Sequence, residues 1–398
     1  MNPHEEKLKT NVDTREALLG AAQALPAVYW NRDTQYPIAY FTLAYPSCPS
    51  QQGLGSGYTD ANSIQYFWDN TVPVDAKLNL DTLVDWLTHH MQALHACQMT
   101  QWDYKTSEFP AISAIATAAF DLKARLAEQP LHTLLGLKKR NKILAYVTLI
   151  IDDVDDLEAT IATYQARGFK AIKLYFPQLG FKPDHLTETD WHQSEAALIA
   201  RARHAAGPDT QLMLDGYASN PLWTNGFDYA VRMAELLHQH QFLWYEDPLP
   251  PAQLKEYQIL TATTDILISG GERLLGHTAF IDWIDCKAVD ILQPDHTVAG
   301  GPITTLAINQ RLSKQKEINQ ASISIIPHGW NNAIGLACDL HFLSTQPETS
   351  LCMVEYMPGF HNDELTTPRF MLDDDGYLKV PDGPGLGVEV ITTGTQQY

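Results

Sequence analysis

The sequence has few cysteines, and none of them is arranged as a pair. Its 398 residues include five cysteines, which are widely scattered and show no CxxC spacing. An odd number of isolated cysteines argues against a disulfide framework and against a zinc site built on thiolates. The sequence therefore predicts a protein of a reducing compartment, the cytoplasm. The five cysteines are Cys48, Cys97, Cys286, Cys338 and Cys352.

Positive charge and long hydrophobic runs are also scarce. The chain carries 27 Lys and Arg against 47 Asp and Glu, a net charge of −20. Such a chain repels nucleic acid and anionic membrane surfaces, so we expect neither as a partner. The first residues, MNPHEEKLKT, contain no apolar segment of a signal peptide, and no apolar run reaches membrane-spanning length. An anionic substrate needs a metal ion or buried cations, which predicts a positive pocket in an acidic protein.

The first part of the chain, residues 1–140, differs in pattern from the rest. Strand-like runs at 38–45 and 53–59 precede helical patterns at 80–96 and 111–127. This order predicts a separate α+β domain. The glycines of GLGSGYT (53–59) are interpreted as turn residues, and the absence of a following lysine argues against a phosphate loop.

From residue 141 to 356 the pattern alternates between apolar strands and helices. Eight near-continuous apolar runs predict a parallel sheet covered on both faces, and eight strands close a barrel. The fold class is therefore predicted to be α/β, a TIM-type barrel capped by the N-terminal domain. Residues 357–398 are rich in Gly, Pro and Asp and are predicted to pack back on the cap. The predicted strands are 144–149, 170–176, 211–217, 242–248, 266–272, 288–295, 321–328 and 350–356.

Three carboxylates stand where three of these strands end. Asp215 follows QLML, Glu246 follows QFLWY and Glu272 follows ILISGG. Because the carboxyl ends of barrel strands share one rim, we expect the three side chains to converge. Mg²⁺ takes hard carboxylate oxygens and keeps positions open for water and substrate. A single acid at a strand end is ordinary, but three in register predict a Mg²⁺ site.

Polar residues mark the ends of the other strands as well. Lys173 and Tyr175 alternate on strand two and share one face, which a two-residue period directs into the barrel mouth. Asp295 ends strand six and His328 ends strand seven, and an Asp beside a His fixes the tautomer of the imidazole and raises its basicity. Glu355 on strand eight is placed to hydrogen-bond a substrate oxygen if it carries a proton. These five residues are the candidate catalytic groups.

Together these residues resemble the enolase superfamily, and within it the mandelate racemase subgroup. The resemblance also covers the segment SAIATAAFDLKARLAEQPLHTLLG (113–136), which leads into the barrel. It implies a modified (β/α)7β barrel with a capping domain, Mg²⁺ held by the three acids, an Asp–His dyad, and an eighth-strand glutamate that stabilises an enediolate. The implied reaction abstracts the proton α to a carboxylate, and the metal and nearby donors hold the resulting charge.

Two positions depart from the family pattern. Tyr175 stands where a second lysine is common, and a phenol with a pKa of about 10 is a poor base at neutral pH. Tyr217 stands where relatives often have asparagine, and packing explains it as well as a site role does. His328 is therefore preferred over Lys173 as the base, and chemistry from one face favours dehydration. The predicted activity is that of an acid-sugar dehydratase, a hydro-lyase that converts an aldonate or aldarate to its 2-keto-3-deoxy acid.

Two other functions stay open on the sequence alone. With Lys173 and His328 on opposite faces of the α carbon, the same site would racemise or epimerise a 2-hydroxy acid or a related carboxylate. The second alternative is a non-catalytic binding protein on this fold, although burying so many like charges without a function costs stability. The chain is expected to form a homo-oligomer, because relatives with this architecture commonly do.

Several further residues are weaker candidates for the site. Arg273 is expected to brace carboxylates, and His296 and Trp330 are expected to point away from the pocket. The cap offers four lid candidates, Tyr29, Trp30, Arg32 and Tyr58.

Overall fold

The computed structural model of the protein describes residues 17–24, 28–31, 34–96, 108–218, 223–317, 323–359 and 366–391. No helix in these ranges is long and apolar enough to cross a lipid bilayer. Cys97 lies outside the described residues. The four described cysteines form no disulfide, and they are Cys48, Cys286, Cys338 and Cys352.

The N-terminal part combines antiparallel strands with helices. Its strands are β1 (Leu19–Ala24), β2 (Val28–Asn31), β3 (Thr34–Tyr36), β4 (Ala39–Ala44) and β5 (Gly53–Gly57). Its helices are α1 (Ala61–Tyr66), α2 (Leu80–Ala96), α3 (Phe109–Leu126) and α4 (His132–Leu135), with a π-helical turn at Phe67–Thr71 and a 3₁₀ turn at Ala76–Leu78. Strands β1, β4 and β5 form one sheet in that order, and β2 pairs with β3. Both predicted helices are confirmed, although α3 begins two residues earlier than predicted.

The glycine-rich segment GLGSG is a strand, and the interpretation of its glycines as turn residues was wrong. It forms β5, which pairs antiparallel with β4 and packs on α3. A Cβ atom at Gly53 would lie 2.1 Å from the carbonyl oxygen of Ala118, and one at Gly55 would lie 1.9 Å from that of Ala114. Gly57 lies equally close to α3, at the carbonyl oxygen of Pro110, one turn nearer the start of the helix. The glycines are therefore needed because strand and helix approach closely.

Replacing Gly55 with alanine is expected to destabilise the protein. The new Cβ would overlap the carbonyl oxygen of Ala114, which is helix backbone and cannot rotate away. Overpacking of this kind costs about 1–3 kcal/mol, and occasionally more. The matched control is Ser56→Ala on the same strand, which adds no atom and removes a buried hydroxyl with no hydrogen-bond partner among the described residues. Thermal unfolding should give a lower Tm for Gly55→Ala alone, and equal midpoints for both variants would contradict the close packing.

Eight parallel strands alternate with seven helices in the described part of residues 142–355. The strands are β6 (Lys142–Ile150), β7 (Ala171–Tyr175), β8 (Gln211–Asp215), β9 (Trp244–Glu246), β10 (Leu267–Gly270), β11 (Ile291–Leu292), β12 (Ser324–Ile325) and β13 (Met353–Glu355). The helices are α5 (Leu157–Ala166), preceded by a 3₁₀ turn at Val154–Asp156, α6 (Glu188–Ala206), α7 (Phe227–Gln239), α8 (Leu254–Thr263), α9 (Gly276–Cys286), α10 (Gly301–Glu317) and α11 (Ala333–Ser344). Pairing follows chain order from β6 to β12, and β13 pairs with β6. This confirms the predicted (β/α)7β barrel of the TIM type with an N-terminal α+β cap.

The strands are shorter than the apolar runs that predicted them. Strands β11 and β12 have only two residues each. As a result Glu272, Asp295 and His328 lie in the loops after β10, β11 and β12 rather than within strands.

Side chains inside the barrel form layers. One layer is apolar and buried, and it consists of Tyr146, Ala171, Met213, Trp244, Ile291, Ile326 and Met353. Two residues further along the chain from each of these stand Thr148, Lys173, Asp215, Glu246, Gln293, His328 and Glu355. Because strand side chains repeat every two residues, these polar groups form the next layer toward the carboxyl ends of the strands. The apolar layer is therefore the floor of a polar site.

The C-terminal segment contacts both the barrel and α3. Its strands are β14 (Thr366–Thr367), β15 (Tyr377–Lys379) and β16 (Glu389–Val390). Strand β15 pairs antiparallel with β6, and β14 pairs with β16. The buried carboxylate of Asp121 on α3 accepts hydrogen bonds from the N–H of Leu54 (2.7 Å), the N–H of Leu386 (2.5 Å) and Nε of Arg125 (2.8 Å). One side chain thus joins β5, α3 and the C-terminal segment, while the division into three domains stays a prediction.

Candidate active site

The three predicted metal ligands converge. Asp215, Glu246 and Glu272 each offer one oxygen, and these oxygens all lie within 4.8 Å of one another. Asp215 ends β8, Glu246 ends β9 and Glu272 follows β10, so consecutive strands bring them together. Glu246 is fully buried, Asp215 is buried and Glu272 is partly exposed. Carboxylate oxygens alone form a donor set that suits a hard divalent cation.

Glu246 is held from three sides. Its Oε2 accepts hydrogen bonds from Nε1 of Trp244 (3.1 Å) and Nε2 of Gln293 (2.8 Å), and its Oε1 contacts Nζ of Lys173. Sequence reasoning missed Trp244 and Gln293. A signal for both was present, because each stands two residues before a predicted site residue, Glu246 or Asp295, and a two-residue period places them on the same side of the chain.

The charged side chains around the cavity do not by themselves give a positive pocket. Burial raises the pKa of Asp215, and the charge of Glu246 raises it further. The cavity above them is lined by equal numbers of basic and acidic residues: Lys173, Arg273 and His328 against Asp215, Glu272 and Asp295. The protein groups alone therefore do not make the predicted positive pocket. A divalent cation fits this site, because it would relieve the repulsion among the carboxylates and supply the missing positive charge.

Lys173 lies among carboxylates and is almost inaccessible to solvent. Its Nζ contacts Glu246, lies 3.8 Å from Oδ2 of Asp215 and lies 3.6 Å from Oε1 of Glu355. Burial disfavours the charged ammonium group, but these carboxylates outweigh burial and raise the pKa of Lys173 well above its ordinary value. In this arrangement Lys173 is a fixed positive charge and a poor proton acceptor.

Asp295 and His328 form a hydrogen-bonded pair. Nδ1 of His328 lies 2.9 Å from Oδ2 of Asp295, and Nε2 lies 3.3 Å from Oε2 of Glu272. The other Asp295 oxygen, Oδ1, accepts hydrogen bonds from the N–H and the hydroxyl of Thr297 at 2.7 and 2.6 Å. With the Nδ1 proton directed at Asp295, Nε2 is the ring atom beside the carboxylate cluster.

The protonation of His328 is coupled to that cluster. Burial alone would lower the pKa of His328, but the charges of Glu272, Glu355 and Asp295 and the hydrogen bond to Asp295 raise it to about 10. A cation held by Glu272 would oppose this effect and return the imidazole toward its neutral form.

Glu355 is ionised and accepts hydrogen bonds, so the proton considered for it from the sequence is not supported. The hydroxyl of Thr148 donates to its Oε1, and the N–H of Gly329 donates to its Oε2 at 2.8 Å. Burial would raise the pKa of Glu355, but Lys173, His328 and these two donors lower it to about 2. Its carboxylate holds Lys173 and the loop that carries His328.

Tyr175 and Tyr217 stand side by side in the cavity wall. Their ring centroids are 5.4 Å apart with an interplanar angle of 68°, and the guanidinium carbon of Arg273 lies 4.7 Å from the centroid of Tyr217. Burial, with the charge of Asp215, raises the pKa of Tyr175 above its usual value, so its phenol keeps its proton. The backbone of Tyr217 has a φ of 48°, which asparagine tolerates better than tyrosine. Tyr217 lines the cavity.

The cap reaches the cavity through Tyr58. This residue follows β5 and lines the cavity, and its N–H donates to the carbonyl oxygen of Thr297 at 3.1 Å. The cavity wall also includes Thr148, Ile150 and Trp330. Trp330 was expected to point away, and that expectation was wrong.

The other weaker candidates have different positions. Arg273 braces Glu272 through Nε at 3.0 Å, as predicted, and also lines the cavity. His296 is buried and bonded away from the cavity. Tyr29 and Trp30 belong to β2, but their side chains lie outside the described residues, as does Arg32.

A family comparison agrees with this geometry. A family model described as Enolase C-terminal domain-like matches residues 156–393, more than half of the chain. The chain belongs to the enolase superfamily. Members of the enolase superfamily generally bind a divalent metal, and the cluster of Asp215, Glu246 and Glu272 is a place in the described chain where one could be held.

The names of curated relatives describe enzymes that act on sugar acids and their lactones. The chain is 28% identical to D-galactarolactone cycloisomerase of Agrobacterium fabrum, over 70% of this chain and 71% of that protein. It is 30% identical to D-galactonate dehydratase of Cronobacter sakazakii, again over 70% and 71%. The crystal structure of the 3,6-anhydro-D-galactonate cycloisomerase from Zobellia galactanivorans matches with a TM-score of 0.75 at 24% identity, over 94% of this chain and 97% of that one. This last match supports the enolase superfamily fold.

Proposed function

We propose that the protein is a Mg²⁺-dependent sugar-acid dehydratase, a hydro-lyase that converts an aldonate or aldarate to its 2-keto-3-deoxy acid. The observation that carries the proposal is the Asp295–His328 pair, whose Nε2 lies 3.3 Å from Glu272 in the carboxylate cluster. Dehydratases of galactonate, gluconate and arabinonate among the relatives, at 26–30% identity, support the substrate class.

Asp215, Glu246 and Glu272 would hold the Mg²⁺. Bound there, the ion would supply positive charge for the substrate carboxylate while the proton α to it leaves. The all-oxygen donor set favours Mg²⁺ over metals that prefer nitrogen or sulfur ligands.

His328 is the proposed base for the α proton. Asp295 accepts the hydrogen bond from Nδ1–H, which keeps Nε2 as the proton acceptor and stabilises the imidazolium that forms. The C–H electron pair forms a double bond between Cα and the carboxylate carbon, while the C–O π pair of the carboxylate moves onto oxygen. When the β C–O bond breaks, the carboxylate re-forms, a Cα–Cβ double bond takes its place, and His328 gives its proton to the departing hydroxyl, so that water leaves. The resulting enol tautomerises to the keto acid, its hydroxyl proton being replaced by a proton at Cβ.

Tyr175 is proposed to position the substrate, and Lys173 is proposed to neutralise negative charge in the site. The phenol of Tyr175 keeps its proton because of the raised pKa, so it donates a hydrogen bond to a substrate oxygen. Lys173 stays charged among its carboxylates and offsets part of the site's negative charge, with Glu355 as its partner at 3.6 Å. An epimerase would need Lys173 to accept a proton on the second face of the α carbon, and the carboxylates around its Nζ disfavour the neutral amine that this requires.

A metal-dependent product assay tests the proposal. Purified protein is incubated with a panel of mono- and diacid sugars and their lactones, with Mg²⁺ or with EDTA, and 2-keto-3-deoxy acids are trapped by a carbonyl reagent. We expect keto acid from at least one sugar acid, loss of the signal in EDTA, and recovery when excess Mg²⁺ is added.

The same samples, run in deuterated water, distinguish the rival activities. Deuterium at the α carbon of recovered substrate with no keto acid would replace the dehydratase by an epimerase. Conversion of a lactone without loss of water would replace it by a cycloisomerase. The homo-oligomeric state and the cytoplasmic location stay predictions.

A further inference from the structure

Behind the Asp295–His328 pair lies a second, fully buried hydrogen-bonded group. Nδ1 of His296 lies 2.5 Å from Oδ1 of Asp339, and Nε2 of His296 lies 3.2 Å from the hydroxyl of Thr305. The amide of Asn331 donates to the other oxygen of Asp339 at 3.0 Å. These four residues are called the Asp339 network. Their side chains are closed off from solvent, with His296 1% and Asp339 0% exposed.

The Asp339 network joins the two loops that carry the proposed dyad. His296 directly follows Asp295 in the loop after β11, and Asn331 stands three residues after His328 in the loop after β12. Asp339 lies on α11 and accepts a hydrogen bond from each loop. Oδ1 of Asp339 is therefore bonded to the loop of Asp295, and Oδ2 is bonded to the loop of His328.

Other hydrogen bonds of each loop lie within that loop or run to the cap and to β13. Asp295 is fixed within its loop by Thr297, through two hydrogen bonds to Oδ1. The loop of His328 is fixed by the bond from the N–H of Gly329 to Glu355 and by the bond from the N–H of Asn331 to the carbonyl of Gly329, at 2.8 and 2.7 Å. These bonds orient each loop separately and leave the distance between them to cross-connections such as Asp339.

The geometry points to His296 and Asp339 as positioning residues that set the 2.9 Å contact between Asp295 and His328. This inference rests on the proposed function, because it assigns the base to His328. Neither residue lines the cavity, so they act through the dyad and not on the substrate. Catalytic hydrogen bonds need to be held within narrow limits of distance and angle, and partners outside the site provide that restraint.

Substitutions at His296 test the inference. His296→Leu removes both hydrogen bonds of the ring and keeps a side chain of similar size. We expect its kcat to fall by about 10–100-fold with little change in KM. His296→Asn can keep a donor near the position of Nδ1, and kcat should recover to within about threefold of wild type if the bond to Asp339 is what matters. If His296→Leu fails to fold, Asp339→Asn preserves shape while removing the charge, and a loss of kcat is expected from it as well.

The matched control is His341→Leu. This histidine is buried two residues after Asp339 on α11, but its ring bonds the carbonyl of Leu386 at 3.1 Å and the N–H of His132 at 3.3 Å, neither of which belongs to a dyad loop. It should lower Tm and leave kcat within about twofold of wild type. Equal losses of kcat in His341→Leu and His296→Leu would show a general effect of stability and overturn the inference.

A double substitution separates positioning from stability. In the Asp295→Asn background the dyad is already impaired, so adding His296→Leu should lower kcat by less than about threefold. An unchanged 10–100-fold factor in that background would mean that His296 acts elsewhere and would overturn the inference.

A spectroscopic readout keeps the inference apart from the proposed function. If the wild type turns over no sugar acid, the proposed function fails, and the ring N–H resonance of His328 in histidine-labelled protein becomes the measurement. His328→Asn assigns that resonance. His296→Leu should shift it toward a weaker hydrogen bond while His341→Leu leaves it in place, and an unshifted resonance in His296→Leu would overturn the positioning role.

Discussion

His328→Asn should lower kcat by about 10²–10⁴-fold while leaving the affinity for Mg²⁺ intact. The asparagine amide can keep the contact with Asp295, which lies 2.9 Å from Nδ1, but it has no atom at the position of Nε2. The atom proposed to take the α proton is therefore lost without removal of a metal ligand. Stopped-flow single-turnover kinetics would measure the chemical step, and calorimetric titration would measure the metal affinity.

Asp295→Asn is the comparison for this result. It leaves Nε2 in place but weakens the restraint on the ring, so a loss of about 10–100-fold is expected, smaller than the loss from His328→Asn. A His328→Asn protein that still dehydrates its substrate within tenfold of the wild-type rate would contradict the assignment, and Lys173 would then have to be considered as the base.

Glu246→Gln should abolish the rise in Tm that Mg²⁺ gives the wild-type protein. A ligand that binds only the folded state stabilises it by about 2.7 kcal/mol at a hundredfold excess over Kd. Both oxygens of Glu246 already accept from donors: Lys173 on one, Trp244 and Gln293 on the other. The amide of glutamine would turn its NH₂ group toward a donor in either orientation, and it would also lack the charge that attracts the ion. Turnover should be lost with the metal.

Asp247→Asn is the matched control for Glu246→Gln. Asp247 is the next residue and is 1% exposed, and neither oxygen of its carboxylate has a hydrogen-bond partner among the described residues. Its carboxylate lies toward Gly270, where an added Cβ would approach Oδ1 to 2.8 Å, and it does not belong to the converging cluster. Thermal unfolding with and without Mg²⁺ should show the full shift for Asp247→Asn and none for Glu246→Gln. An equal shift in both variants would remove Glu246 from the metal site.

The positions of the site residues could be predicted from the sequence because they follow from chain direction. Lys173, Asp215 and Glu246 each lie at or near the carboxyl end of a parallel strand, and the barrel places those ends on one rim. The two-residue period of a strand would also have predicted Thr148 and Gln293, because each stands two residues after an apolar residue of the barrel floor.

The state of each side chain could not be predicted in the same way. The charge on Glu355 depends on Lys173, His328, Thr148 and the N–H of Gly329, which only the folded chain brings together. The strand formed by GLGSG depends likewise on α3, whose backbone lies against the glycines. The glycines of this segment were interpreted as a turn, but glycine is common both in turns and where two elements pack closely, so composition alone does not distinguish the two.

The junction at Asp121 constrains how the protein is made. Its carboxylate binds the N–H of Leu54 from β5 and the N–H of Leu386 from the C-terminal segment. A nascent chain is synthesised from the N-terminus, so residue 386 leaves the ribosome long after β5 and α3 have emerged. The packing around Asp121 is therefore completed only after residue 386 has emerged, and until then its carboxylate lacks one of its backbone donors.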